Sequence, residues 1–509
     1  MAKYLYGAAV QGIQSFIFQT NKLQEIVGAS ELVEEICTSF FRTQVGEKKF
    51  KKENLILGAA GNIKYIFECQ DECKEFVRKF PKKVMEMAPG ITISQAVVKY
   101  GDGEGKLKDA LQDLEDKLRI QRNKVSIPFE VSFMGTKRAK RTGGVAFKQS
   151  TFNEGKFIDE ATFKKLEKQE SHSLFKKISG LNDFKTEDLL FNLDHLKGSW
   201  MAVVHADGNG IGAILQNLHI SLQNKTYEEV KNAFKQFSNA LEVSTKKAAQ
   251  EAFEKTIQKE KGQAYPIRPI VLGGDDLTII IQADLALKFT HNFLKQFESE
   301  TKTNFSFLKE DFQIQGFENG ITACAGIAYV KKTYPFHYAV DLAEKLCGDA
   351  KNFVKGKTNE YKDHHPKMNG NGLVPKSALA FFKVQDSYIE SSLSAMKQRV
   401  AKAKDYNFNY GPYLIDAENQ DFANIDELLC KLKVVDEYGD KHDKGESNGI
   451  SKLRQWITEV YKDKSAADFF LDRMKTVNSE FYEQMEIEKE RAKKKSIIYD
   501  VVLLNSLKN

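Results

Sequence analysis

From residue 200 the chain runs through strand-like and helix-like stretches in a βαββαβ order. A strand in "WMAVVHAD" is followed by a long helix through "YEEVKNAFKQFSNALEVSTKKAAQEAF" and a strand pair flanking "GGDD". A helix in "DLALKFTHNFLKQFE", a strand in "ITACAGIAYV" and a helix in "PFHYAVDLAEKLCGDAKNFV" complete the run. The N-terminal part repeats this order. It has "YLYGAAV", the helical "GIQSFIFQTNKLQEIVGASELVEEI", a strand pair in "NLILGAAGNIKYIFE", the helical "DECKEFVRKFPKKVMEM", the strand "ITISQAVVKY" and the helical "KLKDALQDLEDKLRI". In the last of these Leu107, Leu111, Leu114 and Leu118 form one apolar helical stripe. A repeated βαββαβ order predicts an α+β protein built on two ferredoxin-like units.

Length and composition bound the remainder. With 509 residues, 41% of them hydrophobic, the chain can bury a large core and divides into three or four units. The expected division is a first unit over 1–130, a basic linker domain over 131–195, a second unit over 196–415 and a C-terminal helical domain over 416–509. Four segments after 416, from "DELLCKLKVV" to "SIIYDVVLLNSL", have amphipathic helical character. The start, "MAKYLYGAAVQGIQSF", lacks the layout of a signal peptide, and no apolar run has membrane-spanning length. A cytoplasmic protein with no membrane partner is expected. The six cysteines are scattered, and Cys69 and Cys73 have no second pair at zinc-ligand spacing. A net charge of +6 is modest, although "KRAKR" at 137–141 and "KERAKKK" at 489–495 are local basic clusters.

The chemistry concentrates in "VLGGDDLTII", residues 271–280. Gly and Asp are ordinary hairpin residues, so turn formation alone accounts for this stretch in isolation. Comparison of the two repeats weighs against that reading. Matching "AAVQGIQ" to "HADGNGI" sets Ala9 against Asp207, and matching "LGAAG" to "LGGDD" sets Ala60 against Asp275 and Gly61 against Asp276. The first copy thus lacks every carboxylate that the second has. First and third strands of such a sheet are central neighbours about 4.8 Å apart, so Asp207, Asp275 and Asp276 are expected to converge on one sheet edge. Clustered carboxylates repel one another, and an all-oxygen site suits Mg²⁺ or Mn²⁺. Two such ions serve in-line phosphoryl displacement by a hydroxyl nucleophile, which is nucleotidyl transfer. Gly273 and Gly274, with Gly208 and Gly210 of "DGNGIG", clear side chains where a nucleotide approaches backbone. Lys351 in "GDAKNF" is placed to reach a triphosphate, and Lys345 in "LAEKL" is the poorer candidate.

Together, "GIQSFIFQTNKLQEIVGASELVEE", "ADGNGIG", "VLGGDDLTIII" and "ITACAGIAYVKKTYPFHYAVDLAEKLCGDAK" resemble the large polymerase/cyclase subunit of type III CRISPR effector complexes, over most of residues 1–415. The resemblance implies two facing palm domains, with Asp207, Asp275 and Asp276 as metal-binding and catalytic residues of the second. It also implies ATP as substrate, with the ribose 3′-hydroxyl of a second ATP as nucleophile, and cyclic oligoadenylate or a related adenylated messenger as product. Guide RNA and target RNA, met through other effector subunits, are the implied partners and activators, and the helical tail is the implied subunit contact. The chain departs from that family in three ways. There is no room for an HD nuclease domain before residue 3, and His364 and His365 form no such metal pair, so DNA cleavage is not expected. The linker has no cysteines for a zinc module. Asn209 stands where the family often has a further acidic ligand. A free-standing cyclic nucleotide synthase and a non-catalytic scaffold or RNA-binding subunit are the alternatives.

Overall fold

The structure is a computed structural model that describes residues 2–59, 61–101, 106–124, 133–149, 155–357, 362, 366, 374–385, 392–403, 406–415, 422–439, 449–493 and 495–508. The positions of Ala60, His364 and His365 lie outside the described residues.

The first repeat comprises β1 (Lys3–Gln11), α1 (Ile13–Ile17), α2 (Leu23–Cys37), α3 (Ser39–Val45), β2 (Leu55–Ala59), β3 (Asn62–Phe67), α4 (Gln70–Met87), β4 (Thr92–Tyr100) and α5 (Lys106–Arg122). Its strands order as β2-β3-β1-β4, all antiparallel. The stretch read as one helix from Gly12 to Ile36 is two helices, because the chain leaves helical geometry after Ile17 and restarts at Leu23. Alternate residues of β1 face two different cores: Leu5 enters one, and Tyr6, Ala8 and Val10 the other. The leucine stripe of α5 is buried against the Leu5 side.

The linker holds the short pair β5 (Lys148–Gln149) and β6 (Phe157–Ile158), then α6 (Glu160–Glu167) and α7 (Ser173–Ser179). The cations of its basic cluster at 137–141 are exposed, while several linker side chains pair with α2. Arg141 pairs with Glu25 at 2.5 Å, Lys168 with Glu35 at 2.5 Å, and Lys177 with Glu34. Glu31 accepts hydrogen bonds from Ser171 at 2.9 Å, from Ser173 and from the Leu174 backbone N–H at 3.2 Å. Four acidic residues of α2 thus find their partners in the linker. At Gly28 a Cβ would stand 1.7 Å from the Lys165 carbonyl oxygen, so only glycine lets α6 cross α2 this closely.

The second repeat comprises β7 (Trp200–Gly208), α8 (Ile211–Ser221), α9 (Tyr227–Thr256), β8 (Ile267–Gly273), β9 (Asp276–Gln282), α10 (Ala283–Asn304), α11 (Ser306–Glu310), β10 (Ala323–Lys331) and α12 (Phe336–Lys355). Two strands that the sequence did not reveal extend it: β11 (Ala378–Lys383), parallel to β10, and, after α13 (Leu393–Ala401) and the pair β12 (Lys402–Ala403) and β13 (Tyr406–Asn407), β14 (Tyr413–Leu414). The six-stranded order is β14-β11-β10-β7-β9-β8, whose last four members reproduce the first sheet's connectivity. The two units pack reciprocally: α9 lies on β2 and α5, and α2 lies on β8.

Among the described residues six helices follow: α14 (Ile425–Gly439), α15 (Gly449–Val460), α16 (Lys464–Val477), α17 (Ser479–Gln484), α18 (Ile487–Ala492) and α19 (Ile498–Asn505). The stretch 466–495, amphipathic throughout, breaks at Asn478, whose side chain caps α17, and at Glu486, which has φ 53°. These helices share one hydrophobic core with the second sheet, through Trp456, Leu453 and Val501. Among the described residues no helix is long and apolar enough to cross a membrane.

Candidate functional site

β7 is central because its sequence is apolar on both faces, and its burial is nearly complete from Trp200 to Val204. It pairs with β9 so that Ala206 faces Leu277, which brings the Asp207 end of the strand beside Asp276. The β8–β9 hairpin closes on the Gly273–Asp276 pair, leaving Gly274 and Asp275 as its two turn residues. Gly274 has φ 62°, the conformation that a primed two-residue turn requires at its first central position. Carboxylate oxygens of Asp207, Asp275 and Asp276 all lie within 4.8 Å of one another, the one acidic cluster of metal-holding geometry among the described residues.

Register refines the comparison of the two copies. In the first sheet Ala9 faces Asn62, and Ala59 pairs with Asn62 as Gly273 pairs with Asp276. The counterparts of Asp275 and Asp276 are therefore Gly61 and Asn62, one residue later than sequence matching gave. The first copy still offers no carboxylate at these positions.

Electrostatics follow from crowding. Burial, then the charges of Asp275 and Asp207, push the Asp276 carboxyl up to about 8. Burial and the Asp207 charge raise Asp275 as well. The compensating cation is Lys351 on α12, whose ammonium pairs with Asp207 and donates to the Gly208 carbonyl at 3.0 Å. Burial disfavours the charged lysine, but the Asp207 carboxylate outweighs it and its pKa is raised. Lys345 instead pairs with Asp341 at 2.7 Å on the solvent side.

Three glycines have distinct roles. A Cβ on Gly208 would stand 3.0 Å from Asp275 Oδ2 and 2.7 Å from Ile211 Cδ1, so the hairpin carboxylate seats against bare backbone. Gly210, with φ 74°, is the N-cap of α8. Gly326 lets α12 lie on β10, since a Cβ there would be 2.0 Å from the Ala343 carbonyl oxygen.

Asn209 turns away from the carboxylates. It is wholly buried, donates to Thr322 Oγ1 at 3.1 Å and to Cys324 Sγ at 3.3 Å, and its Oδ1 has no hydrogen-bond partner. Residues without a sequence signal complete the site. Thr245 of α9 donates to the Gly274 carbonyl at 2.6 Å, tying the hairpin to a helix. His205 Nδ1 lies 3.0 Å from Thr278 Oγ1, and Gln14 of the first unit donates to Glu344 of α12.

The hairpin separates two cavities between the units. The larger, about 860 Å³, is lined by β2, by Ile211, Phe234 and Phe237 of α8 and α9, and by Asp275 and Asp276, with Lys52 and Lys235 at its wall. The smaller, about 160 Å³, is lined by Gln14, Ser30, Glu34, His205, Asp276 and Glu344. The larger is within the range of about 300–1,000 Å³ usual for small-molecule sites.

A ferredoxin-like palm with clustered carboxylates at its β-hairpin defines the class of the second unit. Residues 200–360 match the family model described as Cas10/Cmr2, second palm domain, so the chain carries a second palm domain of that family. Among solved structures, that of Csm1 in T. onnurineus aligns at 12% identity over 99% of this chain and 69% of that one, with TM-score 0.47. A Csm1-Csm4 cassette in complex with pppApA aligns at 14% identity over 99% and 69%, with TM-score 0.44. A Csm1-Csm4 subcomplex of a type III-A CRISPR-Csm interference complex aligns at 13% over 98% and 70%, with TM-score 0.43. No curated protein matches the chain.

Proposed function

We propose that this chain is a palm-domain nucleotidyltransferase that joins ATP molecules into a cyclic oligoadenylate or related adenylated messenger, within type III CRISPR defence. The observation that carries the reading is the convergence of Asp207, Asp275 and Asp276, the last two of which line a cavity of small-molecule size. Three half-buried carboxylates, one of them paired with Lys351, form a donor set suited to a hard divalent cation, Mg²⁺ or Mn²⁺. When bound, two such ions lower the pKa of the attacking hydroxyl and neutralise charge on the phosphates.

The chain's own residues do the remainder. Asp275 and Asp276 present carboxylate oxygens from a turn fixed by Gly274 and Thr245. Lys351 holds the Asp207 carboxylate in place and would meet phosphate oxygens brought to it. Gly208, Gly273 and Gly274 keep the backbone approachable, and the α8 N-terminus, opening just beyond Gly210, offers amide donors to anionic oxygens. Ile211, Phe234 and Phe237 give the larger cavity an apolar wall against which a base could pack. Each linkage forms when a ribose 3′-oxygen bonds to the α-phosphorus of the next ATP, the bond to the β-phosphate oxygen breaks, and pyrophosphate leaves. The first palm, without carboxylates at the matching positions, supplies a wall and no metal ligand. Guide and target RNA in an assembled effector are the proposed activators.

The test is product analysis by mass spectrometry after incubation with ATP and Mn²⁺, alone and in the RNA-loaded assembly. Adenylate products formed by the wild type and lost in Asp275→Asn/Asp276→Asn support the reading. Unchanged products from the folded double variant end it, and full-rate synthesis by the RNA-free chain favours a free-standing synthase.

A further inference from the structure

The helix that carries Lys351 is held from outside its own unit. α12 begins after Pro335 with no side-chain cap of its own. The first unit supplies one: Asn21 Oδ1 accepts from the Phe336 backbone N–H at 3.0 Å, satisfying a donor that a helix start otherwise leaves open. Phe336 is buried in a core that it shares with Phe16, Ile17 and Phe18. Two turns further on, Gln14 donates to Glu344. Lys351 follows Glu344 by seven residues, about two helical turns, so both lie on one face of α12. The Lys351 ammonium pairs with Asp207 at the far end of this run.

Both contacts on α12 come from residues 14–21, a segment that cannot hold itself in place. α1 has only five residues, well below the length at which a helix is stable alone. The linker fixes it. Lys165 of α6 donates to the Phe16 carbonyl at 2.7 Å and to Gln19 Oε1 at 3.2 Å, with its ammonium 4.2 Å from the centroid of the Phe16 ring. It is 3% exposed and has no ion-pair partner among the described residues. A buried ammonium is costly unless hydrogen-bonded, and the acceptors that compensate this one belong to the segment that bears Gln14 and Asn21.

We infer that Asn21 and Gln14 are positioning residues for Lys351: they set where α12 stands against Asp207, and Lys165 fixes the segment that bears them. The first unit thereby acts on the carboxylate site as well as lining the cavities beside it. The consequence for turnover rests on the proposed function, and the geometric claim does not.

Amine acetylation of the full-length chain, read residue by residue by mass spectrometry, reports how far the pair with Asp207 shields Lys351. Lys345, on the solvent side of the same helix, is the internal reference. Asn21→Ala is expected to raise Lys351 labelling about fivefold, the population shift that loss of one N-cap allows, with Lys345 unchanged. Asn21→Asp keeps the acceptor and is expected to restore the wild-type rate. Gln14→Leu is expected to act in the same direction as Asn21→Ala. With ATP and Mn²⁺ in the RNA-loaded assembly, Asn21→Ala is expected to lower kcat about tenfold, as a slightly misplaced group at a reacting centre does, while the folded fraction read by circular dichroism is unchanged. Wild-type labelling of Lys351 in both Asn21→Ala and Gln14→Leu, an equal rise at Lys345, or no rescue by Asn21→Asp overturns the inference. Labelling that changes as expected while kcat does not, or while the wild type makes no product, supports the positioning of Lys351 and counts against its use in catalysis.

Discussion

At Asp276, on the proposed function, a proton and a divalent cation would compete for one carboxylate. Its folded-state pKa of about 8 lies above the ordinary aspartate value near 4, so between these limits the folded chain binds a proton that the unfolded chain does not. That contribution to stability is present below about pH 4 and is lost as pH rises towards 8. Without divalent cation, the melting temperature is therefore expected to fall from pH 5 to pH 8, less steeply in Asp276→Asn, and Mg²⁺ is expected to raise it at pH 8. Scanning calorimetry reads all three, and a wild-type profile identical to that of Asp276→Asn contradicts the assignment. Lys351 makes a second prediction. Lys351→Met is expected to lower kcat/KM by about 10²-fold, as removal of one preorganised charge at a reacting group does, while Lys345→Met leaves it unchanged. Steady-state kinetics on the two variants decides between the lysines. The aspartates were legible in the sequence because they interrupt strand-like runs beside glycines in one copy and not in the other. Thr245 was not, because a helix residue that hydrogen-bonds a hairpin 29 positions later leaves no local pattern.

At the scale of elements, the site depends on how closely helices seat on the second sheet. Valine at Gly326 would force α12 off β10 and carry Lys351 away from Asp207; Gly326→Val is expected to destabilise by about 3 kcal/mol or more, measured by urea unfolding. Thr245→Val keeps the shape of the side chain and removes its hydrogen bond to Gly274. A loss of about tenfold in turnover with unchanged stability is expected, the size usual when a residue behind a metal ligand is removed. The βαββαβ order was readable in both copies because strand and helix periodicities alternate cleanly. β11 and β14 were not, because β14 has only two residues and β11 lies outside the βαββαβ order, joining the sheet by parallel pairing with β10. The helix break at Asn478 was likewise hidden within a continuous amphipathic pattern, although asparagine is a strong N-cap.

Across the whole molecule, the palms and the C-terminal helices hold one another in place. Residues on either side of 416 share contacts: the Tyr413 hydroxyl donates to the buried Asp500 at 2.5 Å, and Trp456 packs edge-on against Tyr406 and Phe408. Removal of residues 416–509 would expose that shared core, so truncation is expected to aggregate and not to report on partner contact. The exposed Phe469 and Val477 of α16 are the better probes of a subunit interface, since changing them leaves the core intact. The reciprocal packing of α9 on β2 and of α2 on β8 makes the larger cavity a property of both units, although the carboxylates belong to one. The most direct measurement of the central claim is mass spectrometry of products made from ATP and Mn²⁺ by the chain in its RNA-loaded assembly, with Asp275→Asn/Asp276→Asn in parallel. The account predicts 3′-linked adenylate products with stoichiometric pyrophosphate from the wild type and none from the folded double variant. Equal product from both, or none from the wild type, would contradict it.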